Sequence, residues 1–201
     1  MFNPRGLYAI TNGPRVDLPE AVVAALAGGA CVIQYRDKTT DHNRREAEAA
    51  ALARICARQG VPLIINEDIE LALRCGAAGI HLGGDASVAS ARIRLGNHAV
   101  IGVSCFDSID RARRAVDEGA SYVSFGVFHP SSTKPNAPRA RLATLIEAKS
   151  LRAPVVAIGG ITPDNAPALI AAGADCVAVI SSLFDATNIQ AAAQQFSQLF
   201  S

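Results

Sequence analysis

Eight short apolar segments, each followed by a stretch compatible with a helix, recur along the whole of this 201-residue chain. The apolar segments are residues 7–10, 32–35, 63–65, 79–82, 100–103, 122–125, 155–158 and 176–180. Helices are expected at residues 19–27, 43–59, 69–75, 88–95, 108–118, 142–150, 165–172 and 189–199. Because continuous apolar runs are typical of parallel strands buried on both faces, the pattern predicts an α/β protein.

Glycine positions support this alternation. A glycine followed by alanine precedes each even-numbered strand, where it can end a helix and let the chain turn. These glycines are Gly29, Gly76, Gly119 and Gly173. Eight such units predict a closed (β/α)8 TIM barrel that forms a single compact domain over residues 1–201. An open doubly wound sheet of eight strands is the alternative.

The composition is that of a packed globular protein and argues against nucleic-acid binding. Hydrophobic residues make up 50% of the chain and charged residues 18%, and 19 Lys and Arg nearly balance 18 Asp and Glu. No basic block would follow a phosphate backbone, so we expect no nucleic-acid partner.

Neither a membrane span nor a secretory signal is predicted. The most apolar stretch, residues 21–33, is shorter than the roughly 18 residues that a membrane span requires. The chain begins with Asn3, Pro4 and Arg5 within its first five residues and then enters a predicted strand, unlike a signal peptide. We therefore expect a cytoplasmic protein with no membrane partner.

The residues that follow each strand are the candidate site, because a (β/α)8 barrel builds its active site at the carboxyl ends of its strands. After the second strand, alternation places Gln34, Arg36 and Lys38 on one side of the chain. Two cations at the mouth of a barrel indicate an anionic ligand. A solvated strand end with ordinary surface charges is the alternative.

Carboxylates follow the third and fourth strands. Glu67 and Asp85 are candidate ligands of a shared Mg²⁺, which prefers one or two carboxylates together with substrate phosphate oxygens and water. Without a metal they would be loop and turn acids. Asp68 is better explained as the N-cap of the next helix. His81 is expected to be a barrel-interior histidine bonded to its neighbours, since no second His or Cys stands at ligand spacing.

Hydroxyl groups follow the fifth and sixth strands. Ser104 comes directly after the fifth, and the loop after the sixth contains Ser131, Thr133 and Lys134. Hydroxyls and backbone amides can donate hydrogen bonds to phosphate oxygens while a lysine supplies a point charge. A polar loop bounded by prolines is equally typical of a surface connection.

The last two strands predict a phosphate cup. Gly160 follows the seventh strand, and Ile180 and Ser181 follow the eighth. Glycine lets backbone amides approach a phosphate, and barrels often bind phosphate with these two loops. No nucleophile elbow, pair of glycosidase carboxylates or dinucleotide-binding glycine motif is present. The sequence thus predicts two anionic substrates and chemistry dominated by electrostatic positioning.

Each strand end carries a short motif. The motifs are Leu7-Tyr8-Ala9-Ile10-Thr11, Gln34-Tyr35-Arg36-Asp37-Lys38, Ile64-Ile65-Asn66-Glu67, His81-Leu82-Gly83, Gly102-Val103-Ser104, Ser132-Thr133-Lys134, Ala157-Ile158-Gly159-Gly160-Ile161 and Val179-Ile180-Ser181. In this order and at this spacing they resemble the thiamine-phosphate synthase family over nearly the whole chain.

The resemblance implies a TIM barrel that joins two small molecules with the help of Mg²⁺. The substrates would be 4-amino-2-methyl-5-hydroxymethylpyrimidine diphosphate and 4-methyl-5-(2-phosphooxyethyl)thiazole, and the products thiamine phosphate and pyrophosphate. In that family pyrophosphate departs first, and the thiazole nitrogen then captures the pyrimidine cation.

The resemblance also implies roles for individual residues. Those matching contacts to the pyrimidine diphosphate are Gln34, Arg36, Lys38, Asn66, Ser104 and Lys134. Those matching contacts to the thiazole phosphate are Ser131, Thr133, Gly160, Ile180 and Ser181. Catalysis is expected to depend on Arg36, Lys38, Ser104 and Lys134, with charge on the leaving group stabilised by the three cations among them.

The sequence departs from the family pattern at both metal ligands. Glu67 stands where the family usually has aspartate, and Asp85 matches the second ligand only if one residue is deleted after Gly83. An ungapped alignment instead places Ala86 there.

Two rival functions remain open at this stage. The related thiazole tautomerases use a histidine near the end of the sixth strand, where this chain has Val127, with His129 two residues later. The other rival is a non-catalytic protein that binds thiazole phosphate or thiamine phosphate. Mg²⁺-dependent binding of the pyrimidine diphosphate would distinguish the synthase from both. The sequence leaves homo-oligomerisation open.

Overall fold

The computed structural model describes residues 2–83, 86–130 and 138–201. In these ranges the chain alternates between parallel strands and helices. The strands are β1 (Gly6–Ile10), β2 (Ala30–Tyr35), β3 (Leu63–Asn66), β4 (Gly79–Leu82), β5 (Val100–Phe106), β6 (Tyr122–Gly126), β7 (Val155–Ile158) and β8 (Cys176–Val179). The helices are α1 (Leu18–Ala27), α2 (His42–Gln59), α3 (Ile69–Cys75), α4 (Val88–Leu95), α5 (Ile109–Asp117), α6 (Leu142–Ala148), α7 (Ala166–Ala172), α8 (Ser181–Phe184) and α9 (Ile189–Gln198).

The strands form a closed barrel in chain order. Each strand pairs in parallel with the next, and β8 pairs back to β1 through the register Gly6 with Cys176. This last pairing confirms the predicted (β/α)8 TIM barrel and excludes the open doubly wound sheet. Each predicted strand overlaps an observed one; β2 begins two residues earlier than expected, at Ala30, and β5 extends three residues further, to Phe106.

Helix boundaries follow local capping chemistry. The Asp68 side chain accepts a hydrogen bond from the Leu71 amide at 2.9 Å, so the prediction that Asp68 is an N-cap is confirmed. The same helix, α3, ends at Gly76, whose φ of +66° lies in the left-handed region that glycine tolerates. The short helix α8 is not among the helices predicted from the sequence.

The core forms two layers separated by the wall of the barrel. Alternate strand residues point outward and pack against the helices, as Ile33 and Ile65 do. The residues between them form a smaller cluster in the barrel interior, which includes Tyr8, Val32 and Tyr122. In the described parts of the chain, no helix combines the length and apolar character needed to cross a membrane.

Candidate active site

A cavity of about 560 Å³ opens at the carboxyl ends of the strands. Its size lies within the usual range for small-molecule sites. Predicted site residues from both sides of the barrel line it: Gln34, Arg36, Asn66, Ser104, Gly160, Ile180 and Ser181. The fold therefore brings the two groups of residues that sequence analysis assigned to different substrates into one cavity.

Among the described residues, Lys38 and Glu67 are the predicted site residues that do not line the cavity. Lys38 is exposed, three residues beyond the end of β2. Asp85 and the loop residues Ser131, Thr133 and Lys134 lie outside the described residues.

Arg36 is held at the mouth by the end of β1. Its backbone amide donates a hydrogen bond to Thr11 Oγ1 at 2.9 Å, and Thr11 is fully buried. The next residue, Asp37, turns to the helix side, where Arg44 Nη1 lies 2.7 Å from its Oδ2. Burial would raise the pKa of the Asp37 carboxyl, but its contacts with Arg44 and Thr39 outweigh burial and lower it. The Asp37–Arg44 pair thus fixes the backbone from which Arg36 projects.

A chain of hydrogen bonds, here called the floor chain, crosses the bottom of the cavity. Gln34 Nε2 donates to Tyr8 Oη at 2.8 Å, and Tyr8 Oη lies 2.7 Å from Tyr122 Oη. Tyr122 Oη lies 2.8 Å from His81 Nδ1, and His81 Nε2 lies 3.0 Å from Ser104 Oγ. His81 is therefore a barrel-interior histidine bonded to its neighbours, as predicted. Burial raises the pKa of both tyrosines, so their hydroxyls keep their protons.

Sequence analysis missed Tyr8 and Tyr122 as members of the site. Both are polar aromatic residues at positions of their strands that alternate with outward-facing apolar residues, which was the signal available in the sequence. Their contact joins residues 114 positions apart, and only the closed barrel brings them together.

The loops after β7 and β8 form the other wall of the cavity. Gly160 has a φ of +62°, and a Cβ on it would overlap the backbone of His129 and Pro130. Glycine is thus required for the close approach of this loop to the segment that follows β6. Ser181 begins α8, and the first amides of a helix have no partner within it. This geometry suits an oxyanion, as the sequence predicted for a phosphate cup.

Asp107, which sequence analysis did not select, links the end of β5 to the start of α6. Its Oδ1 accepts hydrogen bonds from the Arg141 amide at 3.0 Å and from the Thr144 hydroxyl, and its Oδ2 accepts from Arg141 Nε at 2.8 Å. Burial would raise the pKa of Asp107, but these contacts lower it. Asp107 also lines the cavity. Through its bonds to Arg141 it fixes the chain just after the segment that contains Lys134.

Glu67 is a suitable ligand for a hard cation. It is exposed beside the cavity, and its carboxylate lies against Gly83 at the end of β4, where a Cβ would overlap it. Asn66 Nδ2 donates to Glu67 Oε2 at 3.3 Å, and within the described residues no cationic side chain pairs with this carboxylate. The described residues contain no group of three His, Cys, Asp or Glu side chains able to hold a metal. One carboxylate fits Mg²⁺ where substrate oxygens and water supply other ligands.

The end of β6 lacks the histidine expected of a thiazole tautomerase. Val127 lines the cavity, whereas His129 is not among the lining residues. The His129 backbone amide instead donates to the Gly159 carbonyl at 3.0 Å.

Comparisons with known proteins give one consistent family. A family model described as thiamine monophosphate synthase matches residues 7–183. The chain is 52% identical to a thiamine-phosphate synthase of Thiobacillus denitrificans over 201 residues, covering 98% of this chain and 95% of that one. It is 53% identical to a thiamine-phosphate synthase of Nitrosococcus oceani, covering 98% and 93%. A solved thiamine phosphate pyrophosphorylase from Pyrococcus furiosus superimposes with a TM-score of 0.88 at 29% identity, covering 98% of this chain and 96% of that one.

Proposed function

This chain belongs to the thiamine monophosphate synthase family, and we propose that it joins 4-amino-2-methyl-5-hydroxymethylpyrimidine diphosphate to 4-methyl-5-(2-phosphooxyethyl)thiazole. The products are thiamine phosphate and pyrophosphate. The observation that carries this proposal is the single cavity lined by Gln34, Arg36, Asn66 and Ser104 on one side and by Gly160 and Ser181 on the other.

One wall of the cavity binds the pyrimidine diphosphate. Gln34 and Ser104 lie at the two ends of the floor chain and contact the pyrimidine. Arg36, held by Thr11 at the mouth, binds the diphosphate, with Asn66 beside it. Lys38 approaches the diphosphate from the exposed rim. In this proposal the ring lies deep in the barrel and the charged groups lie near solvent.

The opposite wall binds the thiazole phosphate. The amides at Gly160 and at the start of α8, together with the Ser181 hydroxyl, donate hydrogen bonds to its phosphate. Ile180 packs against the ligand, and Ser131 and Thr133 add hydroxyl donors from the loop after β6. The thiazole nitrogen then faces the carbon that loses pyrophosphate, because both ligands enter the same cavity from opposite walls.

The chemistry is a dissociative substitution. The bond between the pyrimidine methylene carbon and the diphosphate oxygen breaks first, and its electron pair leaves with pyrophosphate. Arg36, Lys38 and Lys134 stabilise the charge that develops on this leaving group, and Ser104 donates a hydrogen bond within the same site. The thiazole nitrogen then supplies the electron pair of the new carbon–nitrogen bond.

Mg²⁺ is part of the proposal. Glu67 and Asp85 would hold it, together with substrate oxygens and water, and when bound it neutralises charge on the diphosphate. The supporting observation is the Glu67 carboxylate, with which no cationic side chain pairs among the described residues. This carboxylate lies against Gly83, which precedes Asp85 by two residues in the sequence.

The test is product formation from the two substrates, with Mg²⁺ and with EDTA, following pyrophosphate and thiamine phosphate together. We expect both products in equal amounts and only with Mg²⁺. If folded protein gives neither product while a control synthase does, the proposal is wrong. Thiazole tautomerisation would then be assayed next, followed by binding of thiazole phosphate alone.

A further inference from the structure

Three groups in the middle of the floor chain can each donate one proton to a hydrogen bond. These are the hydroxyls of Tyr8 and Tyr122 and, in its neutral form, the imidazole of His81. Four hydrogen-bonded contacts join the five residues of the floor chain, at distances of 2.7 to 3.0 Å. Three protons cannot fill four contacts, so one end residue must donate into the chain.

Burial forces all the protons to point the same way. Tyr8 is 1% exposed and Tyr122 is 0% exposed, and within the described residues neither hydroxyl has an acceptor outside the chain. A buried hydroxyl proton without an acceptor costs about 1–3 kcal/mol. If Gln34 donates to Tyr8, then Tyr8 donates to Tyr122, Tyr122 to His81 Nδ1, and His81 Nε2 to Ser104. If Ser104 donates instead, every bond reverses.

The two ends of the floor chain therefore have complementary roles. In the orientation of this structure, Gln34 Nε2 donates into the chain, which leaves its carbonyl oxygen as the acceptor that can meet a ligand. Ser104 Oγ then accepts from His81, and its own proton is available for a ligand acceptor. In the reversed orientation, Gln34 offers a donor and Ser104 an acceptor. A ligand that presents one donor and one acceptor matches the two ends in either orientation.

We infer that Tyr8, Tyr122 and His81 are positioning residues that couple the hydrogen-bonding role of Gln34 to that of Ser104. This inference rests on the proposed function for its ligand, a pyrimidine whose amino group donates and whose ring nitrogen accepts. A diphosphate offers only acceptors and would leave the Gln34 carbonyl oxygen without a donor. The coupling thus directs the ring to the floor and the diphosphate toward Arg36.

The first test follows the His81 proton by ¹⁵N NMR in the free protein and needs no turnover. In the wild-type protein, Nε2 should carry the proton and Nδ1 should not. The substitution Gln34→Glu places a carboxylate at the end of the chain, and a carboxylate can only accept. Every bond should then reverse, so that Nδ1 of His81 becomes protonated. The changed side chain does not contact His81, because Tyr8 and Tyr122 lie between them in the floor chain.

The control is the same substitution in a Tyr122→Phe background. Phenylalanine keeps the ring and removes the linking hydroxyl, so Gln34→Glu should no longer change the state of His81 Nδ1. An unchanged Nδ1 in the single variant, or an equal change with and without the Tyr122 hydroxyl, would overturn the inference. If Gln34→Glu does not fold, the kinetic comparison of Tyr122→Phe with wild type decides.

A kinetic readout separates positioning from a general structural role. Tyr122→Phe should raise KM for the pyrimidine diphosphate about fivefold or more, a coupling of the size found between residues that share a network. The KM for the thiazole phosphate should stay within about twofold. A parallel rise in both constants would contradict positioning. Absence of wild-type turnover would instead count against the proposed function, while the NMR test still judges the coupling.

Discussion

Gly102 on β5 lies directly beside Tyr122 on β6, and a Cβ at Gly102 would overlap the outer end of the Tyr122 ring and its hydroxyl. The missing side chain on one strand thus makes room for the polar aromatic side chain of the next. The same hydroxyl contacts Tyr8 and His81, so the glycine determines where the centre of the floor chain can lie.

Gly102→Ala should therefore reduce both stability and activity. Forcing a methyl group against the ring is expected to lower the free energy of unfolding by about 1–3 kcal/mol. The displaced hydroxyl should also lower kcat/KM for the pyrimidine diphosphate. Urea unfolding and steady-state kinetics measure the two effects. The matched control is Gly60→Ala, where a Cβ would meet nothing within 4 Å. Because Gly60 has a φ of +66°, its substitution should cost about 1 kcal/mol without changing kcat/KM.

Asp37→Asn should destabilise the protein in a pH-dependent way. The Asp37 side chain is fully buried and pairs with Arg44, which is 29% exposed, so we expect a loss of about 2 kcal/mol at neutral pH. The pKa of Asp37 is lower in the folded protein than in the unfolded chain. Its contribution is therefore present above the unfolded pKa of about 4 and is lost as pH falls through the folded pKa.

Unfolding free energies of wild type and Asp37→Asn at pH 7 and at pH 3 check this prediction. The difference should be large at pH 7 and smaller at pH 3. Asp110→Asn is the control, because its ion pair with Arg113 is exposed and should contribute less than about 0.5 kcal/mol. A difference that does not change with pH would show that packing, and not the ion pair, accounts for the effect.

The barrel was predictable from the sequence because local patterns coincide with the global fold. The run 155–158 is apolar along its length, as a strand covered on both faces must be, and it matches its observed strand. Alternation also predicted that Gln34 and Arg36 face the same side. The short helix α8 was missed because four residues carry too little periodicity to distinguish a helical turn from a loop.

The connections within the site were harder to predict. Asp107 bonds to Arg141, 34 residues away, and no spacing in the sequence indicates that these two residues meet. Glu67 was recognised as a carboxylate after a strand, but its φ of +61° and its contact with Gly83 depend on how β3 and β4 end side by side. Local patterns identify the chemical groups, whereas closure of the barrel determines which of them touch.

Glu67→Gln should weaken the dependence of activity on Mg²⁺. The amide keeps the shape of the side chain but removes the charge that a hard cation prefers, so the Mg²⁺ concentration for half-maximal rate should rise about tenfold or more. Glu70→Gln is the control, because Glu70 is exposed on α3 and pairs with Arg94. Asp85→Ala should act in the same direction as Glu67→Gln. An unchanged Mg²⁺ response in both variants would remove these carboxylates from the metal site.

Lys134→Ala should lower turnover far more than it weakens binding of the thiazole phosphate. In the proposed mechanism Lys134 stabilises charge that develops only as pyrophosphate leaves, so its loss raises the barrier without removing a contact to the second substrate. We expect kcat to fall about 100-fold or more, while KM for the thiazole phosphate changes less than about threefold.

Steady-state kinetics with each substrate varied in turn measure the effect of Lys134→Ala. Arg58→Ala provides the matched loss of one positive charge at an exposed position in the last turn of α2, and it should leave both constants unchanged. A wild-type kcat in Lys134→Ala would exclude this lysine from the chemical step. A rise in the thiazole phosphate KM at constant kcat would instead assign Lys134 to the phosphate cup, because only a contact made equally in the ground state and the transition state changes KM alone.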